Sequence, residues 1–247
     1  MAQLDNRYAQ SATGARTGVA VDEGLRAYML GVYNYMAAGV ALTGVVAYLT
    51  YSFAVADGGL TPFGQTLYAS PLKWVVMLAP LAFVLFLGAR MERMSVGTAQ
   101  TTFWLFAAVM GVSLSSIFLV FTGQSITQIF FITAATFGAL SLWGYTTKRD
   151  ISGWGSFLFM GVVGIVIAAL VNLFLQSSAL QFAISVIGVL VFAGLTAYDT
   201  QRIKDGYLMV RGDAAMMAKS AIMGALSLYL DFINMFVMLL NLFGNRE

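Results

Sequence analysis

The chain has no cysteine, no histidine, only three prolines and few charges, with 13 Lys and Arg against 11 Asp and Glu in 247 residues. Without cysteine there is neither a disulfide framework nor a thiolate metal site. Without histidine the usual zinc ligand, general base and neutral-pH switch are all missing, so proton chemistry near neutral pH falls to carboxylates. A net charge of +2 with no long basic run excludes a nucleic-acid groove. What is abundant is apolar: 60% of residues are hydrophobic and the mean hydropathy is +0.82, against an apolar content of about 45–50% in soluble domains. The chain reads as an integral membrane protein with six or seven spans of about 20 residues each. No separate soluble domain fits.

Residues 1–26 are polar, carry Arg7, Arg16 and Arg26, and lack an apolar core followed by a small-residue cleavage site. They read as a mobile cytoplasmic tail and not as a signal peptide, ahead of a membrane domain over 27–247. Spans are expected at about 28–53, 72–88, 101–121, 126–145, 157–175, 180–198 and 226–244, the last preceded by a mildly polar approach. Pro80 can kink the second. Gly111, Ser113, Ser115 and Ser116 let the third approach its neighbours closely. A polar loop is expected from Asp199 to about Lys219. Eleven of the thirteen basic residues lie in the tail and in alternate loops, which puts the N-terminus in the cytoplasm and, after seven spans, the C-terminus outside.

One acid lies inside a span. On a helix, Ser227, Asp231, Asn234 and Asn241 fall near one stripe, and the rest of the run is Leu, Ile, Phe, Met and Val. A carboxylate in mid-membrane costs about 2.5–3.5 kcal/mol on insertion scales, so Asp231 must face protein or water and its helix belongs in the middle of a bundle. Asp199 follows the apolar run that ends at Tyr198, where a span meets the cytoplasm. Two carboxylates held together in a low-dielectric site share a proton more easily than they both ionise, and they offer Ca²⁺ hard oxygen ligands. An arginine at the cytoplasmic end of a neighbouring helix, Arg90 or Arg93, can pair with such a carboxylate when it is ionised and release it when it is protonated. The supporting polar candidates are Arg93, Thr196, Ser227, Asn234 and Asn241.

Several stretches, in order, carry a further signal: Gly111-Val-Ser-Leu-Ser-Ser-Ile-Phe118, Thr147-Lys-Arg-Asp-Ile-Ser152, Tyr198-Asp-Thr-Gln201 and Ser227-Leu-Tyr-Leu-Asp-Phe-Ile-Asn-Met-Phe236. Together they resemble the transmembrane Bax inhibitor motif family, Bax inhibitor-1 and its bacterial relatives, over residues 26–244. The resemblance implies an all-α bundle of seven transmembrane helices, the last central and six around it, while the short loops and the absence of a targeting signal point to a bacterial inner membrane. It also implies a pH-sensitive calcium leak, non-enzymatic and without a cofactor. Asp199 and Asp231 would be its pH sensor and calcium ligands, and a second-helix arginine, Arg90 in preference to Arg93, their partner. Two other readings stand beside it. One is a non-conducting regulator that binds another membrane protein, such as a quality-control protease or a death regulator. The other is an intramembrane aspartyl protease, whose signature Tyr198-Asp199 half fits while the expected Gly-x-Gly-Asp is absent around Asp231. Contact between Asp199 and Asp231 requires the chain ahead of Leu226 to be cytoplasmic or shielded by protein, because entry near Ala221 would bury Asp231 about 15 Å deep.

Overall fold

A computed structural model of the chain describes residues 23–56, 58–90 and 93–246. The expected tail, up to residue 22, lies outside the described residues. Among the described residues, seven helices are long and apolar enough to cross a membrane: α1 Glu23–Ala54, α2 Leu72–Arg90, α3 Val96–Leu114, α4 Gly123–Thr146, α5 Trp154–Leu175, α6 Ser178–Val210 and α7 Ala214–Phe243. The third continues as a 3₁₀ turn over Ser115–Leu119.

The last helix is the central one. Two thirds of the most apolar stretch of α7 (67%) is buried, against 11–33% for the others, because only this helix is enclosed on most sides by other helices. It packs against α6, α1, α4 and α3, while α2 and α5 lie further out with their main contacts on α3 and α6. Tyr229 shows how the centre is tied. Its ring is fully buried and meets Phe103 and Phe106 edge-on. Thr43 Oγ1 donates to the Ala107 carbonyl at 2.9 Å, so the 2.6 Å bond between Thr43 and Tyr229 must use the phenol as donor. One hydroxyl pair thus joins α7, α1 and α3.

Between α1 and α2 the chain makes a short hairpin, β1 (Val55–Ala56) with β2 (Gly59–Leu60), and then two turns of helix over residues 62–69. Tyr68 anchors this loop to the end of α3 through a 2.7 Å bond to Ser115. At the same end, Asn245 accepts from the Thr122 backbone N–H at 3.1 Å and donates its own N–H to Ser125 Oγ.

The polar loop expected from Asp199 to Lys219 does not exist. Helix α6 runs on to Val210 and α7 starts at Ala214, leaving a turn at 211–213. The physical reason is periodicity. Thr196, Thr200, Ile203 and Tyr207 recur at helical spacing and are all buried, whereas Arg202 and Asp205 point outward, so this polar stretch is an amphipathic helix. Asp213 then starts α7 by accepting from the Ala215 and Met216 N–H groups. At 1.5 Å per residue the two helices are about 50 and 45 Å long, more than a hydrocarbon core of about 30 Å requires. Both project beyond it on the face that carries the basic residues.

Helices α4 and α6 approach until their backbones nearly touch. A Cβ on Gly144 would strike the carbonyl group of Ala197, whereas a Cβ on Gly138, two turns earlier, would meet nothing. Gly144→Val is therefore expected to lower unfolding stability by about 1–3 kcal/mol, and Gly138→Ala to leave it intact. Unfolding of the purified variants in detergent checks both, and equal behaviour would contradict the close approach.

Candidate functional site: an aspartate pair between the last two helices

Helices α6 and α7 form an antiparallel hairpin whose register is set by small residues. The place of a Cβ on Gly224 is 3.1 Å from Ile203, and that on Gly188 is 2.9 Å from Met238. This register sets Asp199 opposite the turn of α7 that carries Asp231. Both are buried, 7% and 4% exposed, and the charges that act on Asp231 are Asp199 and Arg202. The depth problem posed by the sequence is solved by shielding. Ala221, Ile222, Gly224, Ala225 and Leu226, ahead of the pair on α7, are packed inside protein.

The cation at the pair is Arg202. Its Nη2 lies 3.4 Å from Asp199 Oδ1 and donates at the same distance to Ser227 Oγ, one turn before Asp231. Its side chain is 57% exposed, while that of Asp199 is 10% exposed, so the guanidinium caps the pair at the basic face and lies 5.8 Å over the Tyr198 ring. Behind the cap, Asp231 Oδ2 has no hydrogen-bond partner among the described residues. A buried, unsatisfied carboxylate oxygen costs several kcal/mol when charged.

Each residue of Tyr198-Asp-Thr-Gln201 meets a different neighbour. Tyr198 fills the space that a side chain at Gly155 of α5 would need. Asp199 faces α7. Thr200 Oγ1 donates to the Thr196 carbonyl at 2.7 Å, so Ser141 of α4 is the donor in their 2.9 Å bond. Tyr33 of α1 in turn donates to Ser141 at 2.6 Å. Gln201 clamps the loop between α4 and α5, accepting from the Ile151 N–H at 2.9 Å and donating to the Arg149 carbonyl at 2.8 Å. In that loop Asp150 accepts from the Ser152 N–H, and this bond holds its carboxyl below the usual carboxylate range.

The other candidates are placed differently. Thr196 is buried on α6, one turn before Asp199, and donates to the Phe192 carbonyl within the same helix. Asn234 and Asn241 donate to carbonyls one turn back in α7, at 2.8 and 2.9 Å, and serve their own helix. Arg90 is exposed at the end of α2, 6.0 Å over Phe86, and Arg93 is exposed just beyond it. The contacts to the aspartates among the described residues come from Arg202 instead. Sequence reasoning missed Arg202 because it read the stretch as a loop; on a helix, three residues from Asp199 is the same face. For a metal, the two carboxylates and the Ser227 hydroxyl are hard oxygen donors. Among the described residues no third acid joins them, well short of the 6–8 oxygens that Ca²⁺ prefers.

Comparison with known proteins gives one consistent result. A family model described as "Inhibitor of apoptosis-promoting Bax1" matches residues 25–247. An uncharacterized protein of Caulobacter vibrioides is 48% identical over 250 residues, 100% of both chains. The inner membrane protein YbhL of Escherichia coli is 47% identical over 227 residues, 91% of this chain and 94% of its own. An uncharacterized membrane protein of Streptococcus pyogenes is 35% identical over 230 residues, 92% and 96% of the two chains.

Removing the Gln201 clamp would leave the buried Ile151 N–H unpaired. Gln201→Ala is expected to cost about 1–3 kcal/mol and to expose the stretch 147–153 to protease. Limited proteolysis together with unfolding of the variant reads both effects, and a loop that stays protected would show that other contacts hold it.

Proposed function

The chain belongs to the Bax inhibitor-1 family, and from that premise we propose that it is a pH-sensitive calcium leak of a bacterial inner membrane, gated by protonation of Asp199 and Asp231. The observation that carries this reading is the buried Asp231 oxygen with no hydrogen-bond partner among the described residues, facing a second acid under an exposed arginine. In the ionised state Arg202 balances one of the two charges. When the proton is taken up at Asp199, its attraction to Arg202 weakens, and with it the link from α6 through Arg202 to Ser227 on α7. A helix contact that depends on charge is a gate with two settings.

The same carboxylates favour cations over anions in the pathway. Two acids and a hydroxyl are too few to retain Ca²⁺ tightly, which suits passage, since conduction needs binding weak enough for release. The 3.4 Å pairing of Arg202 with Asp199 supports giving Arg202 the part that the resemblance assigned to a second-helix arginine. The basic face is the cytoplasmic side in this reading, by the bias of Lys and Arg towards it.

Purified protein in vesicles loaded with a calcium dye tests the proposal. Wild type is expected to pass Ca²⁺ at a rate that depends on pH. Asp199→Asn and Asp231→Asn should each flatten that dependence, and Arg202→Gln should displace it along the pH axis. Flux no greater than in protein-free vesicles, or an unaltered pH response in both asparagine variants, would overturn it.

A further inference from the structure

Helices α1 and α4 are neighbours that do not pack on each other along most of their length. Between them runs a crevice of about 670 Å³, within the range of about 300–1,000 Å³ typical of small-molecule sites. Its walls are apolar side chains such as Met36 and Val40 of α1 and Phe130 and Phe137 of α4, and its floor is Phe232 of α7. A second cavity of about 180 Å³ shares Val40, Phe130 and Phe232 with the first and continues to Leu114 and Phe118 at the opposite face. Along α1 the first cavity extends from Arg26 to Ala41, about 22 Å of helix at 1.5 Å per residue. That is a headgroup and one leaflet's depth of a core about 30 Å thick.

Polarity is confined to two places. Tyr33 and Ser141, bonded to each other across the crevice, are its mid-depth hydroxyls. The mouth, at the basic face, is bordered by Arg26 and Tyr145. Lys204 donates to the Tyr145 carbonyl at 3.0 Å and lies 5.9 Å over its ring. Neither Arg26 nor Lys204 has a carboxylate partner among the described residues. Two cations with no carboxylate partner among the described residues, above an apolar trough between membrane helices, complement an anionic headgroup with an acyl chain below it. A helix from another protein would match the trough but not the charged mouth.

The geometry points to a binding site for an anionic glycerophospholipid between α1 and α4, its phosphate at Arg26 and Lys204 and one acyl chain along the Phe130–Phe137 wall. The site is separate from the aspartate pair and owes nothing to ion flux.

Native mass spectrometry of the full chain, released from micelles holding equal amounts of phosphatidylglycerol and phosphatidylcholine, tests it. The wild type is expected to retain one phosphatidylglycerol per protein, at least fivefold over phosphatidylcholine. Gly138→Leu places a side chain into the open space of the crevice and should cut that retention at least fivefold. Ala37→Leu fills the facing wall and gives the same readout should the first variant not fold. Arg26→Gln with Lys204→Gln should keep a lipid bound but without preference for headgroup. Equal retention of the two lipids by the wild type, or phosphatidylglycerol held undiminished by both crevice-filling variants, would overturn the assignment and leave the crevice to detergent or to another helix.

Discussion

Burying Asp231 is the constraint around which the bundle is arranged. A carboxylate cannot face acyl chains without a cost of several kcal/mol, so the helix that carries it has to be enclosed by protein. That requirement accounts for the heavy burial of α7 compared with the other six helices, and for the aromatic packing of Tyr229 and Phe232 on either side of the acid. It also accounts for the hairpin. With α6 set against α7 by small residues at 188 and 224, the two acids come together where Arg202 can reach one of them from solvent.

Around that centre, polar groups are satisfied locally and in order. Hydroxyls donate to carbonyls one turn back at Thr133, Ser185, Thr196 and Thr200, which lets polar side chains sit within apolar helices without foreign partners. Asn234 and Asn241 do the same with their amides. Among the described residues the Oδ2 of Asp231 is the exception to this pattern, a buried side-chain oxygen with no hydrogen-bond partner.

Much of this was legible in the sequence. Hydropathy located seven spans, and the lone embedded acid identified the central helix, because the cost of burial leaves few alternatives. Asp231 was conspicuous by its place in lipid and Asp199 by its motif, and both are buried. Hidden were the features that depend on helix continuing where polarity suggested loop. Arg202 and Gln201 looked like loop residues; extended helix turns the first onto the face of Asp199 and the second toward Ile151. Asn234 and Asn241 are a different case. Shared spacing with Asp231 put them on one face, but their amides bond within α7, and spacing alone does not say what a side chain touches. The crevice between α1 and α4 left no trace in sequence, since it arises from two helices failing to meet.

Consecutive residues on a helix point about 100° apart, and at residues 199–201 this rotation distributes α6 among three parts of the molecule. Asp199 faces α7, Thr200 is bonded to Ser141 of α4 and Gln201 holds the loop into α5. A turn of α6 that carried Asp199 away from α7 would also draw Thr200 from Ser141 and Gln201 from the loop. The charge state of one side chain is thus opposed or supported by two neutral bonds on the adjacent faces. Neutral bonds of about 1 kcal/mol each are comparable in size to the exposed part of an arginine–carboxylate pairing. Three neighbours thus hold this one turn of α6 through contributions of similar size.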